Sequence, residues 1–220
     1  MKNQPVHDVS HDAKPAPHTA NGSAFSYPDQ RVAGYRCLRC EQLYPVSIRI
    51  DSRGCPTCAD IAPSNLRPVY ESKTHATTAE LASLWRYAAH LPCGGDGAVS
   101  LGEGMTPLLP APRMGELLRV PNLLIKDESR NPTWSYKDRF STVAVSMARA
   151  DGHQVLATAS SGNAGASLAA YAAKAGLSCV VATFANSAGP MLAQIRKYGA
   201  TILPLVNKTD RWTLLEEAAW

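Results

Sequence analysis

The sequence predicts an α/β fold, in which helices cover both faces of a parallel sheet, preceded by a small cysteine-rich unit. Two observations lead to this prediction. From residue 122 onward, strand-like and helix-like segments alternate along the chain, which is the pattern of βαβ units that build a parallel sheet. Nearer the N-terminus, four cysteines fall into two C-x-x-C pairs.

Composition and charge narrow the class of protein. The chain has 220 residues, 45% of them hydrophobic, and a net charge of +4 from 22 basic and 18 acidic residues. This is a globular composition, and the mild charge excess favours a small anionic ligand over nucleic acid. No apolar run approaches the roughly 20 residues that cross a bilayer, and the N-terminus has no apolar signal segment. We therefore expect a cytoplasmic protein without nucleic-acid or membrane partners.

The first 30 residues are predicted to form a disordered tail, because they are polar, rich in proline and histidine, and poor in periodic apolar residues. Three histidines in this tail, His7, His11 and His18, have a spacing that indicates no known kind of metal site.

Residues 31–62 are predicted to form a zinc-ribbon-like unit. Two C-x-x-C turns, separated by 14 residues, can bring four thiolates to the corners of a tetrahedron, which is the geometry that Zn²⁺ prefers. Four cysteine ligands leave no position for water, so the site is expected to be structural. Two redox pairs or four unrelated thiols remain the alternative. The expected ligands are Cys37, Cys40, Cys55 and Cys58.

The remaining elements follow from periodicity. Within the cysteine-rich unit, "YPVSIRI" (44–50) is a strand candidate, and residues 61–76 read as a connector. Thr77 and Glu80 have the spacing of a capping box, which predicts a helix over 77–92. Strands are then predicted over 122–128, 154–160, 177–184 and 201–206, and helices over 138–152, 163–176 (ending at Gly176), 191–200 and from 209 onward. Because the sequence stops inside this last helix, we expect it to be the N-terminal part of a longer protein, with residues 63–220 forming a partial α/β domain.

A lysine sits at the start of one predicted helix, in the stretch "NPTWSYKDR" (131–139). The positive end of the helix dipole disfavours a cation there. A phosphate-bearing cofactor, or conversion of the Lys137 amine to an imine, would compensate. An ordinary solvated lysine is the alternative.

The loop "SSGNAG" (160–165) follows a predicted buried strand and opens a helix. Its hydroxyls, glycines and free N–H groups suit a carboxylate or a phosphate, and open α/β sheets bind ligands at the carboxyl ends of their strands. The alternative is that Ser161 and Asn163 only turn the chain and cap the helix.

Together these stretches resemble one enzyme family. "NPTWSYKDR" is similar to the lysine signature of the threonine synthase branch of the fold-type-II pyridoxal-phosphate enzymes. "SLGEGMTPLLP" (100–110), "ASSGNAGASLAAYAAKAG" (159–176) and "MLAQIRKYGATILPL" (191–205) resemble further segments of that branch, and they occur in the same order. The resemblance covers roughly residues 95–206, and a cysteine knuckle region also occurs in some members.

The resemblance implies a site and a reaction. Lys137 would hold pyridoxal phosphate through an imine and act as the acid–base, and Asn163 would bond the phenolic oxygen of the cofactor ring. The implied reaction is that of a lyase, which converts O-phosphohomoserine and water to threonine and phosphate. The substrate would then be a small, phosphorylated amino acid, and a homodimer is left open. The implied substrate-binding residues are Ser160, Ser161, Gly162, Ala164 and Thr106.

Two departures from the family pattern keep alternatives open. Trp134 stands where the family usually has glycine, so a sibling dehydratase or a β-replacement enzyme such as cysteate synthase is an alternative. The family's phosphate-binding loop and the partner of its pyridine nitrogen would lie beyond Trp220. A non-catalytic zinc-ribbon and α/β binding protein, or an inactive fragment, is the alternative from another class.

Overall fold

The computed structural model describes residues 32–48, 50, 53–71, 80–207 and 209–219. The predicted tail and Thr77 of the predicted capping box lie outside these residues. The strands are β1 (Val32–Cys37), β2 (Leu43–Tyr44), β3 (Leu66–Tyr70), β4 (Leu108–Pro110), β5 (Leu124–Lys126), β6 (Val155–Ala159), β7 (Ser178–Phe184) and β8 (Thr201–Leu205). The α-helices are α1 (Pro112–Leu118), α2 (Lys137–Ala150), α3 (Asn163–Ala175), α4 (Gly189–Lys197) and α5 (Asp210–Ala219).

The predicted α/β architecture is confirmed between residues 137 and 219. Strands β6, β7 and β8 lie side by side and parallel, in sequence order. Helix α3 contacts both β6 and β7 and packs against α4, while α5 also contacts β6 and β7. None of the helices in the described part of the chain combines the length and hydropathy needed to cross a bilayer.

The alanine-rich helix α3 forms the centre of the core. Its buried residues include Tyr171, and they pack with buried Val145, Val181 and Ile195 from α2, β7 and α4. Close packing requires a small residue at the start of the helix: a Cβ on Gly165 would lie 2.9 Å from Val181 Cγ1. Small side chains on α3 therefore let the helix lie directly on the sheet, which fixes the loop that precedes it.

The N-terminal sheet differs from the prediction. It is antiparallel, with the order β2-β1-β3. The predicted strand "YPVSIRI" is wrong: β2 ends at Tyr44, and Val46 lies in a turn. Pro45 has no N–H group to continue the ladder. Strand β3 lies within residues 61–76, which are predicted to be a connector. Its central proline and arginine interrupt the run of apolar and β-branched residues that predicts a strand.

Two further predictions between residues 77 and 128 are corrected. The described part of the predicted 77–92 helix is a 3₁₀ helix over Leu84–His90, capped by the Ser83 hydroxyl. The predicted strand 122–128 is shorter, and it pairs antiparallel with β4 and not with the parallel sheet. Helix α1 was not predicted, because seven residues are too few to show a clear helical period.

Candidate active site and cysteine cluster

Lys137 is the first residue of α2, as its position in the sequence suggested. Its side chain is partly exposed, and its Nζ atom lies 4.6 Å from the centroid of the Tyr136 ring, a distance typical of a cation–π contact. The preceding Trp134 has a φ of 62° and a side chain that is 79% exposed. The lysine therefore sits at an accessible helix start, beside a backbone position in the conformation that glycine adopts most easily.

A buried carboxylate holds the starts of α2 and α3 together. Asp138 has no exposed surface and accepts hydrogen bonds from the Thr133 backbone N–H at 2.6 Å and the Thr133 hydroxyl at 2.5 Å. The Ser167 hydroxyl on α3 donates a third hydrogen bond, at 2.6 Å. Asp138 directly follows Lys137, and Ser167 lies one helical turn after Asn163, on the same face of α3.

The loop before α3 is held by Ser160, and not by Ser161 or Asn163, the two residues considered as helix caps. The Ser160 hydroxyl accepts hydrogen bonds from the N–H groups of Gly165 at 2.9 Å and Gly162 at 3.3 Å. Ser160 is 8% exposed, so its hydroxyl serves the loop itself. Ser161, Gly162 and Ala164 are partly exposed and Asn163 is exposed. A Cβ on Gly162 would meet no atom within 4 Å, so there is space for a ligand beside this loop.

Thr106, predicted to line the substrate side, is held by a charged pair. It is 5% exposed, its hydroxyl donates to Glu128 Oε1 at 2.7 Å, and it accepts from Arg139 Nη2 at 3.1 Å. Arg139 binds the Glu128 carboxylate through Nε at 2.7 Å and Nη2 at 2.8 Å, a two-point arrangement that is strong. The Arg139 guanidinium holds the pKa of Glu128 at about 2. Because Arg139 lies two residues after Lys137, the pair ties Thr106 to the start of α2.

A second buried carboxylate ties the segment before Thr106 to α3. Glu103 has no exposed surface, and it accepts hydrogen bonds from the Tyr171 hydroxyl at 2.6 Å and the Leu101 N–H at 3.0 Å. Burial, together with the hydrogen bond to this carboxylate, raises the pKa of Tyr171.

The structure thus gathers the predicted residues through residues that the sequence analysis did not single out. Helix starts that carry Lys137 and Asn163 are joined through Asp138 and Ser167, although no hydrogen bond links the Lys137 and Asn163 side chains themselves in the described part of the chain. For Glu103, Asp138 and Arg139, the available signal was a charged residue inside a quoted motif. The residues missed are Glu103, Glu128, Asp138, Arg139, Ser167 and Tyr171.

The four cysteines of the predicted metal site lie together. Their Sγ atoms are all within 4.8 Å of one another, with 3.9 Å between Cys37 and Cys58 and 3.7 Å between Cys40 and Cys55. A tetrahedron with Zn–S bonds of about 2.3 Å has sulfur–sulfur edges of about 3.8 Å. The N–H groups of Arg39 and Cys40 donate to Cys37 Sγ at 3.3 and 3.4 Å. The cluster therefore fits a tetrahedral metal ion.

The environment of Cys37 favours its thiolate. Burial raises the pKa of this thiol, but hydrogen bonds from the Ser64 hydroxyl and from two backbone N–H groups outweigh it and bring the pKa to about 6. In contrast, burial and the neighbouring sulfurs raise the pKa of Cys58 to about 12. A bound cation would offset the cost of collecting this negative charge.

The chain is similar to two known threonine synthases. It is 34% identical to threonine synthase of Methanocaldococcus jannaschii over 181 residues, 80% of this chain and 44% of that protein. It is 43% identical to threonine synthase of Mycobacterium leprae over 126 residues, 56% of this chain and 35% of that protein. The chain thus spans less than half the length of these relatives. The crystal structure of apo diaminopropionate ammonia lyase from Escherichia coli matches with a TM-score of 0.49 and 23% identity, over 55% of this chain and 38% of that one.

The chain also matches a protein family over its α/β region. The family described as "Pyridoxal-phosphate dependent enzyme" matches residues 99–219, the region that contains the lysine, the asparagine loop and the parallel sheet. Because this match covers more than half of the chain, the chain belongs to the family of pyridoxal-phosphate dependent enzymes.

Proposed function

We propose that the chain is the lysine-bearing part of a pyridoxal-phosphate dependent lyase of the threonine synthase type. The observation that carries the proposal is the hydrogen bond between Asp138 and Ser167, which holds the helix starts with Lys137 and Asn163 beside each other. Both helix starts lie next to accessible space, at Gly162 and at the exposed side chains of Trp134 and Tyr136 before Lys137.

Each residue has a proposed role. Lys137 holds the cofactor through its amine and later moves protons at the substrate carbons, while Asn163 donates to the phenolic oxygen of the cofactor ring. The loop that contains Ser160, Ser161, Gly162 and Ala164 binds the substrate carboxylate at the N-terminus of α3, a place that suits an anion. When bound, pyridoxal phosphate serves as the electron sink for the reaction. Thr106, held by Glu128 and Arg139, lines the substrate side.

The proposed substrate is O-phosphohomoserine, converted with water to threonine and phosphate by a cytoplasmic enzyme that can form a homodimer. The threonine synthases among the relatives support this substrate. Trp134 supports a second candidate, a sibling dehydratase or β-replacement enzyme, because its indole is exposed three residues before Lys137. An indole occupies volume that a glycine at position 134 would leave free.

Trapping the cofactor tests the role of Lys137. The protein is incubated with pyridoxal phosphate and reduced with borohydride, and the labelled peptide is identified by mass spectrometry. We expect the label on Lys137, its loss in Lys137→Ala, and its retention in Lys174→Ala, which removes an exposed lysine from α3. Equal labelling of many lysines would contradict the proposal.

Phosphate release tests the substrate. We expect steady release of phosphate from O-phosphohomoserine, with threonine as the product, in a protein completed to the length of its relatives. Ammonia release from threonine or serine without phosphate release would favour the sibling dehydratase.

We also propose that the cysteine cluster holds one structural Zn²⁺. Metal analysis of the purified protein should give one zinc per chain, and Cys55→Ser should lower this value sharply. Cys179→Ser is the matched control, because Cys179 is buried in β7 outside the cluster. Equal zinc content in both variants would contradict the proposal.

A further inference from the structure

Tyr44 lies directly beside the cysteine cluster, although it is not one of the four expected ligands. It is the last residue of β2 and lies opposite Tyr35 of β1. Its hydroxyl oxygen is 3.1 Å from Cys55 Sγ, and Cys55 is completely buried. A hydroxyl at this distance from a buried sulfur is positioned for a hydrogen bond.

The other contacts of this hydroxyl determine which way its proton points. The Thr57 backbone N–H donates to the Tyr44 oxygen at 3.4 Å, and the Thr57 hydroxyl lies 2.7 Å from the same oxygen. A metal-bound thiolate carries no proton, so in its pair with Tyr44 the thiolate must be the acceptor. The Thr57 hydroxyl can then donate to the second lone pair of the Tyr44 oxygen, and each group has a partner.

We propose that Tyr44 is an outer-sphere hydrogen-bond donor to the Cys55 thiolate when the cluster holds its metal ion. This inference rests on the metal binding proposed above. The donated hydrogen bond withdraws negative charge from one of the four clustered thiolates. It also holds the Cys55 side chain, in the second C-x-x-C turn, in a fixed orientation relative to strand β2. Groups that orient metal ligands in this way affect metal affinity strongly.

The role can be measured with Co²⁺ as a spectroscopic replacement for Zn²⁺ in the full chain. Tyr44→Phe removes only the hydroxyl. We expect roughly tenfold weaker Zn²⁺ binding in competition with a chelator. We also expect the sulfur-to-cobalt charge-transfer band to move to longer wavelength, because the sulfur electrons lose their stabilising hydrogen bond.

Tyr35→Phe is the matched control, since it removes a hydroxyl from the register partner of Tyr44, and none of the cluster sulfurs in the described region bonds to Tyr35. Its affinity and its band should match those of the wild type. An unchanged band and affinity in Tyr44→Phe, or equal changes in both variants, would overturn the role of Tyr44. If the wild type binds neither metal, the metal proposal itself fails.

A second variant keeps the inference testable if Tyr44→Phe does not fold. Thr57→Val removes the other hydroxyl near Tyr44. If Tyr44 already donates to Cys55, the cobalt band should stay at the wild-type wavelength. If Tyr44 instead donates to Thr57, this variant frees the tyrosine proton for the sulfur, the band moves to shorter wavelength, and the inference is wrong.

Discussion

The Ser167 hydroxyl donates a 2.6 Å hydrogen bond to the carboxylate of Asp138, which has no exposed surface. The same hydroxyl lies 2.7 Å from the Ser141 hydroxyl, also buried. Helix α3 is thereby joined to the first turns of α2 through buried polar groups. A buried carboxylate is tolerated only when hydrogen bonds replace its hydration. The contact between Asp138 and Ser167 therefore fixes the position of the start of α3 relative to the start of α2.

Ser167→Ala should therefore destabilise the fold and weaken the cofactor site together. The substitution leaves Asp138 with only the Thr133 donors, and we expect a loss of about 1–3 kcal/mol in the free energy of unfolding. Urea denaturation of the wild type and the variant measures this difference in the free energy of unfolding. Ser178→Ala, at an exposed position at the start of β7, should change stability by less than about 0.5 kcal/mol. Equal effects of the two substitutions would show that the contact does not stabilise the interface.

Glu128 should make stability depend on acid pH. Its hydrogen bonds with Arg139 hold its folded-state pKa at about 2, against a usual 4.5. Because the folded pKa is lowered, this stabilisation is fully present above pH 4.5 and is lost as the pH falls toward 2. Solvent screening limits the contribution to about 1 kcal/mol.

Glu128→Gln should therefore reduce stability at pH 7 and flatten its decline below pH 4.5. Unfolding measured at several pH values tests this, with Glu116→Gln, at an exposed position of α1, as the control. A variant that loses stability in acid as steeply as the wild type would rule out Glu128 as the source.

Trp134 has a left-handed backbone, which predicts an unusual response to glycine. A side chain at φ 62° costs about 1–2 kcal/mol, which glycine avoids. Glycine's greater freedom in the unfolded chain offsets about 0.5–1 kcal/mol of this. We therefore expect Trp134→Gly to be at least as stable as Trp134→Ala.

Tyr136 provides the comparison, because its φ of −60° is ordinary. There, Gly should be less stable than Ala by about 0.5–1 kcal/mol. The same ranking of Gly and Ala at both positions would show that the backbone at Trp134 is not strained. Thermal unfolding of the four variants gives the answer.

The sequence predicted the region from Lys137 to the last helix well. Buried strands and helices there show clear periods, and Gly176 ends α3 at a φ of 72°, where glycine is favoured. The four cysteines were also found, because C-x-x-C spacing leaves few other arrangements. By contrast, β3 and β4 are short, contain proline and gain their hydrogen bonds only from distant strands. No local pattern reports such pairing.

The polar residues of the site were partly hidden for a related reason. Lys137 and Asn163 belong to motifs that a resemblance makes visible. Glu103 and Asp138 read in the sequence as ordinary surface charges, since acidic residues are mostly exposed. Their burial comes from tertiary contacts with Tyr171 and Ser167, which lie 68 and 29 residues away. Separations of this size carry no signal in a single sequence.

The central claim is that Lys137 and Asn163 bind the same cofactor, and the visible absorption band of bound pyridoxal phosphate tests it most directly. The account predicts that Lys137→Ala abolishes the band. Asn163→Ala should keep the attachment to lysine but shift the band and weaken cofactor binding about tenfold, which corresponds to one lost hydrogen bond to a charged group. Asn207→Ala, at an exposed position outside the loop, should leave both unchanged. An Asn163→Ala spectrum and affinity identical to those of the wild type would contradict the account.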